Sequence, residues 1–401
     1  MWRGSRGKRV AEPEPLRVAF THISRRAWAG GYNYQRNLFE VLNRYHPGEV
    51  RPVLFAGMND DAAEIAALAQ IPGVEVFQSP AFDRTGRGLL GALALGIDGP
   101  AAAQFCAREI DIVFESARFF GRRLPFPAIA WFPDFQHRLL PNLFSRRAYW
   151  QRELGFRIQI ASGRHIMLSS ASALEDLKRF YPGVANGVSV VRFATEPPSS
   201  LLTTDPLDVI SRYGLPQHFL YLPNQFWRHK NHQLVIEALG LLKRRGVDVV
   251  VAASGSTHDP REPDYFEDTM RRVAAQGLES SFRHLGMIPL DHVYALLRTS
   301  AALINPSKCE GWSTTVEEAK SFGVPMILSD IDVHREQTEE AARYFAVDDA
   351  GALADHMSDV MADAGSVAAR HLQAGHDERV RAFVTDFIQL ARVAAHSKPA
   401  R

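Results

Sequence analysis

Residues 304–330, INPSKCEGWSTTVEEAKSFGVPMILSD, leave this chain the fewest ways to fold. An apolar run, Ala301 to Ile304, leads into the segment and a second one, Met326 to Leu328, nearly closes it. Between them the pattern is helical. Thr314 and Glu317 have the spacing of a capping box, and Gly323 followed by Pro325 has the order of a helix stop. Two neighbouring strands joined through a helix run parallel, and a parallel sheet needs helices over both of its faces. The segment therefore predicts a βαβ unit whose helix starts at the carboxyl edge of an open α/β sheet, where such sheets bind ligands. There the backbone N–H groups of Gly311, Trp312, Ser313, Thr314 and Thr315 would face a pyrophosphate.

Alternation of the same kind runs along the whole chain. Strands are expected at Arg17 to His22, Val50 to Phe55, Val74 to Gln78, Ile110 to Phe114, Ala128 to Phe132 and His165 to Leu168, with helical patterns between most of them. Residues 195–206, TEPPSSLLTTDP, read as a linker. Beyond it strands recur at Phe219 to Leu222, Val247 to Ser254, Phe282 to Leu285, Ala301 to Ile304 and Met326 to Leu328, and the chain ends in a helix from about Arg379 to Ala395. The chain's 401 residues suit two such domains better than one.

Composition narrows the function classes. The net charge of +1 gives no bulk case for nucleic acid. Two cysteines, Cys106 and Cys309, have no metal spacing and cannot make a disulfide framework, so a reducing cytoplasm is the expected compartment; Cys309 reads as a small buried residue. No apolar run reaches transmembrane length. The opening MWRGSRGKRVAEPEP is basic, then proline-rich, lacks the apolar stretch of a signal peptide, and reads as a disordered lead over residues 1–15.

The 304–330 segment resembles the E-x7-E signature of family-4 retaining glycosyltransferases: Pro306, Ser307, Glu310, Gly311, Glu318, Ala319, Gly323 and Pro325 fall in place, Trp312 stands for the usual aromatic and Ser313 for the usual glycine. The resemblance implies the GT-B fold, two Rossmann-like doubly wound domains facing across a cleft. It implies an acceptor-side domain over 16–198, a nucleotide-sugar-binding domain over 199–378 and a helix over 379–401 that returns to the first domain. Glu310 would then bind the donor sugar and Glu318 the ribose hydroxyls, although both also complement a helix dipole. Trp312, Ser313 and Thr314 would lie around the donor.

A second match, YLPNQFWRHKNHQLVIEAL at 221–239, resembles the loop in which an Arg and a Lys hold the diphosphate. Lys230 fits the Lys, but Gln225 stands at the Arg position, and Arg228 is the candidate to supply that charge. Asn224 and Asn231 read as loop-shaping residues. After the strand ending at Phe132, His137 is the expected donor-sugar contact and Asp134 its neighbouring alternative. Gly30 and Gly31 resemble the family's glycine-rich loop, with Tyr32 and Asn33 facing the acceptor, and His334-Arg335-Glu336 resembles a segment near the donor.

Asp330-Ile331-Asp332 matches a D-x-D metal motif but follows a Rossmann strand, so no metal is expected there. The arginine-rich run Ser145 to Arg157 is a candidate for contact with anionic membrane or a lipid-linked acceptor, or an ordinary solvated helix. The expected activity is metal-independent, retaining transfer of a sugar, with no cofactor beyond the nucleoside diphosphate sugar as donor substrate, to a hydroxyl of a saccharide or other acceptor. Such chemistry belongs to polysaccharide biosynthesis in the cytoplasm, with peripheral contact at the inner face of the membrane in view. A sugar-nucleotide epimerase on the same fold and a non-catalytic nucleotide-sugar-binding module are the rivals; Gln225 keeps the latter open.

Overall fold

The computed structural model describes residues 14–83, 87–116, 118–338, 341–365 and 368–396. The lead expected over residues 1–15 lies almost wholly outside them. Among the described residues thirteen strands form two sheets. The first holds β1 (Leu16–Thr21), β2 (Val50–Ala56), β3 (Glu75–Gln78), β4 (Ile112–Glu115), β5 (Ala128–Phe132), β6 (His165–Leu168) and β7 (Val188–Val190). The second holds β8 (Leu220–Leu222), β9 (Val251–Ala253), β10 (Phe282–His284), β11 (Ala302–Asn305), β12 (Met326–Ser329) and β13 (Arg343–Phe345).

The spatial orders are β3-β2-β1-β4-β5-β6-β7 and β10-β9-β8-β11-β12-β13, and the pairings from β3 through β5 and throughout the second sheet run parallel. Both sheets are thus doubly wound, and their order reverses between β1 and β4 in one and between β8 and β11 in the other. At such a reversal the flanking loops leave in opposite directions and open a crevice beyond the carboxyl ends of the strands. The alternation read from sequence gives the right architecture. Strands β7 and β13 were not expected, and the linker segment carries a short 3-10 turn, Ser199–Leu202, before a helix that begins at Pro206.

By contact the chain forms two compact units. Of the described residues, one comprises those up to Trp131, Ala161–Ile166 and those from Val384; the other comprises Phe132–Ile160 and Met167–Phe383. In the first, Phe55, Phe82, Phe105 and Phe120 pack as one aromatic cluster, with Phe55 and Phe105 ring centres 5.0 Å apart. In the second, alternate residues of each strand serve opposite faces, as a strand's period of two requires. Leu220, Leu222, Val251 and Ile304 enter one core, while Tyr221, Ala252, Leu303 and Leu328 enter the other. That double burial explains why these strands read as unbroken apolar runs. Among the described residues no single helix is long and apolar enough to cross a membrane.

Candidate active site

The site grows from the order reversal of the second sheet. β8 runs into Pro223-Asn224-Gln225 and β11 ends in Asn305. The two asparagine side chains meet there, Asn224 Nδ2 donating to Asn305 Oδ1 at 3.2 Å. Asn305 is fully buried and acts as a hub. Its Oδ1 also accepts from Ser307 Oγ at 2.6 Å, and its Nδ2 donates to Ser313 Oγ at 2.8 Å. One amide therefore fixes the start of both loops, because it offers donors and an acceptor together. Gly255, after β9, completes the floor: a Cβ there would lie 2.5 Å from the Asn224 carbonyl oxygen, and its φ of +151° also favours glycine.

Beyond Asn224 the chain makes a 3-10 turn, Arg228–Lys230, closed by Asn231 in the left-handed conformation at φ 58°. Asn tolerates that conformation better than most residues, and its Nδ2 donates to the Val347 carbonyl at 2.9 Å. The turn aims Lys230 at the loop after β11. Lys230 Nζ donates to Glu310 Oε1 at 2.5 Å, with side chains only 15 % and 9 % exposed. Burial alone would raise the Glu310 pKa, but the positive field of Lys230 and its hydrogen bond override burial and hold the carboxyl at about 2. Glu310 is therefore a carboxylate at neutral pH. His229 is itself pushed down to about 3 by burial beside Lys230 and stays neutral.

The helix Thr314–Ser321 follows, and its start differs from the expected capping box. Ser313, not Thr314, is the N-cap residue, and Ser313 makes no side-chain cap bond. Its hydroxyl belongs to the Asn305 hub. Gln337 caps instead: its Oε1 accepts from the Ser313 N–H and its Nε2 donates to the Ser313 carbonyl, both at 3.0 Å. The same Nε2 donates to Glu317 Oε1 at 3.1 Å. Of the N–H groups expected to face a pyrophosphate, that of Ser313 is therefore occupied. Gly311 lies so close to the Pro133 carbonyl that any Cβ would collide with it, and Trp312 Nε1 donates to the Phe193 carbonyl at 2.7 Å. Among the described residues Glu318 is buried with the Tyr294 hydroxyl, at 3.4 Å, as its partner, and burial raises its pKa to about 7.

Other expected residues are placed differently. His137 is fully buried, with Nε2 3.1 Å from Glu153 Oε2 among the rings of Phe144, Tyr149 and Phe156. Burial lowers its pKa. It is a core histidine in this structure, and its alternative Asp134 is the one beside the site: a Cβ on Gly311 would lie 3.2 Å from Asp134 Cβ. Arg152 binds Asp134 at 2.7 Å and helps hold it ionised. Arg228 is committed to Glu262 at 2.6 Å, with its side chain half exposed. Arg261 reaches the Lys230 turn while paired with the buried Asp259 at 3.1 Å; its Nη2 lies 3.3 Å from His229 Nδ1 and its Nη1 donates to Gln136 at 2.7 Å. Arg261 lies in the loop between β9 and the helix Tyr265–Ala275, and no motif in the sequence distinguishes it.

Gly30 and Gly31 form no loop. They lie in the first turn of the helix Ala29–Tyr45, where a Cβ on Gly31 would collide with the Trp28 indole. The close approach that glycine permits is used by a side chain. Trp28 and Tyr34 stack on Trp131 with centres 5.2 and 4.3 Å away, and Tyr32 is buried. In the His334-Arg335-Glu336 segment His334 is fully buried. Its Nδ1 is 2.9 Å from the Ser329 carbonyl oxygen, and its buried Nε2 has no hydrogen-bond partner among the described residues. Glu336 accepts from the N–H groups of Ala171 and Ser172. Asp330 is held by Arg335 at 2.7 and 2.8 Å, so its charge is met by a guanidinium. In the helix Arg146–Ala161, Arg152 and Arg157 pair with Asp134 and Glu153. Cys309 is buried, which raises its thiol pKa.

Comparison with known proteins agrees with this architecture. Residues 214–375 match the family model of glycosyl transferases group 1. A glycosyltransferase of Rickettsia africae ESF-5 superposes with a TM-score of 0.63 at 14 % identity, covering 96 % of this chain and 94 % of that one. Alr3699/HepE of Anabaena, solved with UDP and glucose, gives 0.63 at 17 % identity and 96 % of both chains. The sucrose-phosphate synthase of Thermosynechococcus elongatus gives 0.63 at 14 % identity, over 95 % of this chain and 94 % of that one. Identities this low establish the fold, which is GT-B. No curated protein matches the chain.

Proposed function

We propose that this chain is a metal-independent, retaining glycosyltransferase that moves a sugar from a nucleoside diphosphate sugar to a hydroxyl of a saccharide or other acceptor. The observation that carries the reading is the buried Lys230–Glu310 pair at the β8/β11 reversal, inside the region that matches the group 1 family model. Transfer builds negative charge on the departing diphosphate, and a preset cation in a water-poor site stabilises it without reorganising. Lys230 takes that role, and Arg261, rather than Arg228, is the second charge we assign to it. Donor entry exchanges the Lys230–Glu310 contact: the ammonium turns to phosphate and the Glu310 carboxylate accepts from sugar hydroxyls. The departing phosphate oxygen receives the acceptor's proton. Retention of configuration is supported by the resemblance of Glu310 and Glu318 to the E-x7-E signature.

Glu318 binds the ribose hydroxyls in this scheme. Its pKa of about 7 means that it is partly protonated before donor arrives. Hydroxyl donors favour the ionised form, so donor binding releases a proton. The test is transfer with purified donor and acceptor after a thermal-shift screen of nucleotide sugars has named the donor. Glu310→Ala is expected to abolish most turnover; full activity in that variant would remove the assignment. Donor binding without turnover on a broad acceptor panel would favour a binding module, which the absent Arg at Gln225 keeps in view. An epimerised nucleotide sugar formed without acceptor would favour the epimerase.

A further inference from the structure

The helix Arg87–Ala94 is amphipathic the wrong way round for a protein wholly in water. Its inner side is small. A Cβ on Gly88 would collide with the Asp98 carboxylate, one on Gly91 would lie 3.3 Å from the Ile97 carbonyl oxygen, and Ala92 is 2 % exposed. Its leucines point outward, with Leu89, Leu90 and Leu93 at 48, 68 and 53 % exposure and Leu95, just past the helix end, at 69 %. A surface helix in water turns its large apolar residues to the core. Scattered exposed leucines need no explanation, but four within seven residues make a patch.

Two arginines border that patch. The Arg123 N–H donates to the Gly96 carbonyl at 2.7 Å. A Cβ on Gly96 would come 3.2 Å from Arg123 Cγ and 3.5 Å from Arg122 Cγ, so both stems lie along the turn that follows Leu95. Both side chains are exposed, and neither has an ion-pair partner among the described residues. The next helix, Gly99–Ala107, leaves at 103°. At the corner Asp98 is 1 % exposed and pairs with Arg118 at 2.6 Å. A bent pair with a buried ion pair at its corner suits a surface that lies in the lipid interface, not one that crosses it.

We propose that this face seats the first unit on an anionic lipid bilayer, with Leu89, Leu90, Leu93 and Leu95 entering the acyl boundary and Arg122 and Arg123 at the lipid phosphates. Charge complementarity selects lipid over a second copy of the chain, because a second copy of this face adds two more arginines and, among these residues, no exposed carboxylate to pair with them. Long basic side chains beside an apolar insert are also what a phosphate-lined interface accommodates.

The test is flotation of the full-length protein, without donor or acceptor, on vesicles of phosphatidylcholine with and without phosphatidylglycerol. Binding is expected only to the anionic vesicles and is weakened by salt. Leu90→Gln with Leu93→Gln should reduce it at least about tenfold, and Arg122→Gln with Arg123→Gln by roughly tenfold or more, since each surface charge near an anionic leaflet contributes about fivefold. All four sites are exposed, so melting temperatures should stay near that of the parent, and this is measured alongside. Equal flotation of the leucine variant, or no flotation of the parent, overturns the proposal. A dimer in sedimentation that the leucine substitutions abolish also overturns it, in favour of self-association.

Discussion

β4 and β11 hold the same place in their sheets, each beside its sheet's first strand, and each ends in a buried polar residue. In the first sheet that residue is Glu115, in the second Asn305. Glu115 is closed off: Arg164 donates to both of its oxygens at 3.0 and 3.2 Å, the Phe120 N–H donates to it as well, and Arg164 also reaches the Gly121 carbonyl. Asn305 carries no charge and shares its bonds among three segments, leaving the charges of that edge to Lys230 and Glu310, which keep some access to solvent. The contrast separates two uses of one position. A matched ion pair that spends all its bonds internally serves the fold. A neutral hub that shapes two loops frees the charged pair beyond it for a ligand. Elsewhere at the first edge the buried His22 lies 3.3 Å from Asp60 and 3.1 Å from Glu64.

The sharpest way to break this comparison is at Arg164. Arg164→Leu leaves Glu115 buried without its cation and should cost about 3–5 kcal/mol in urea unfolding, while Arg164→Leu with Glu115→Leu should recover most of it. A loss below 1 kcal/mol would show that Glu115 is not closed in this sense. Next in size, Glu310→Ala and Lys230→Ala should each lower kcat by about 10²–10³-fold, near 2.7–4 kcal/mol, the range seen when one preset electrostatic partner is removed. Lys230→Met also tests the acid limb. A carboxyl held at about 2 adds stability above its unfolded value and loses it as pH falls towards 2. The variant should lack that added stability.

Glu318 shows the opposite sign. Its pKa is raised to about 7, so its contribution is full below the unfolded carboxyl value and is lost as pH rises through 7. Glu318→Gln should match the parent near pH 4 and exceed it by about 1–3 kcal/mol at pH 8 in thermal or urea unfolding. The parent's donor binding should release a proton near pH 7, read as a buffer-dependent enthalpy that Glu318→Gln loses. The smallest effect belongs to Arg228. Its half-exposed pair with Glu262 predicts a change below about 1 kcal/mol for Arg228→Ala. Donor affinity should stay within about twofold, whereas Arg261→Ala should weaken it about tenfold or more. The reverse ranking would return the diphosphate to Arg228.

Legibility in the sequence followed burial. Strands buried on both faces, such as Ala128–Phe132 and Met326–Ser329, were plain as apolar runs. β7 and β13 are edge strands of three residues with partial exposure, so neither length nor alternation marks them. In the candidate site, the Lys230–Glu310 pair joins two residues that each stand in a short readable motif, Glu310 in the E-x7-E spacing and Lys230 in its loop. What escaped was long-range. Gln337 caps a helix start 24 positions away, and Arg261 reaches His229 from 32 away. His137 misled because a histidine just past a strand end looks the same whether its ring turns to a crevice or, as here, to Glu153 in a core.

The Gln337 contact has a consequence for how this protein can drift. An amide side chain presents a donor and an acceptor side by side, so it meets the Ser313 backbone as a neighbouring strand would. Glutamate at 337 keeps only the acceptor and places a charge against Glu317; leucine keeps neither group. Either change is tolerable only if the cap is rebuilt at its own end, for instance by a side chain at 313 that is free of Asn305. Positions 305, 313, 317 and 337 are therefore physically coupled. A substitution that is silent at one of them in a relative should be damaging here when its companions stay as they are.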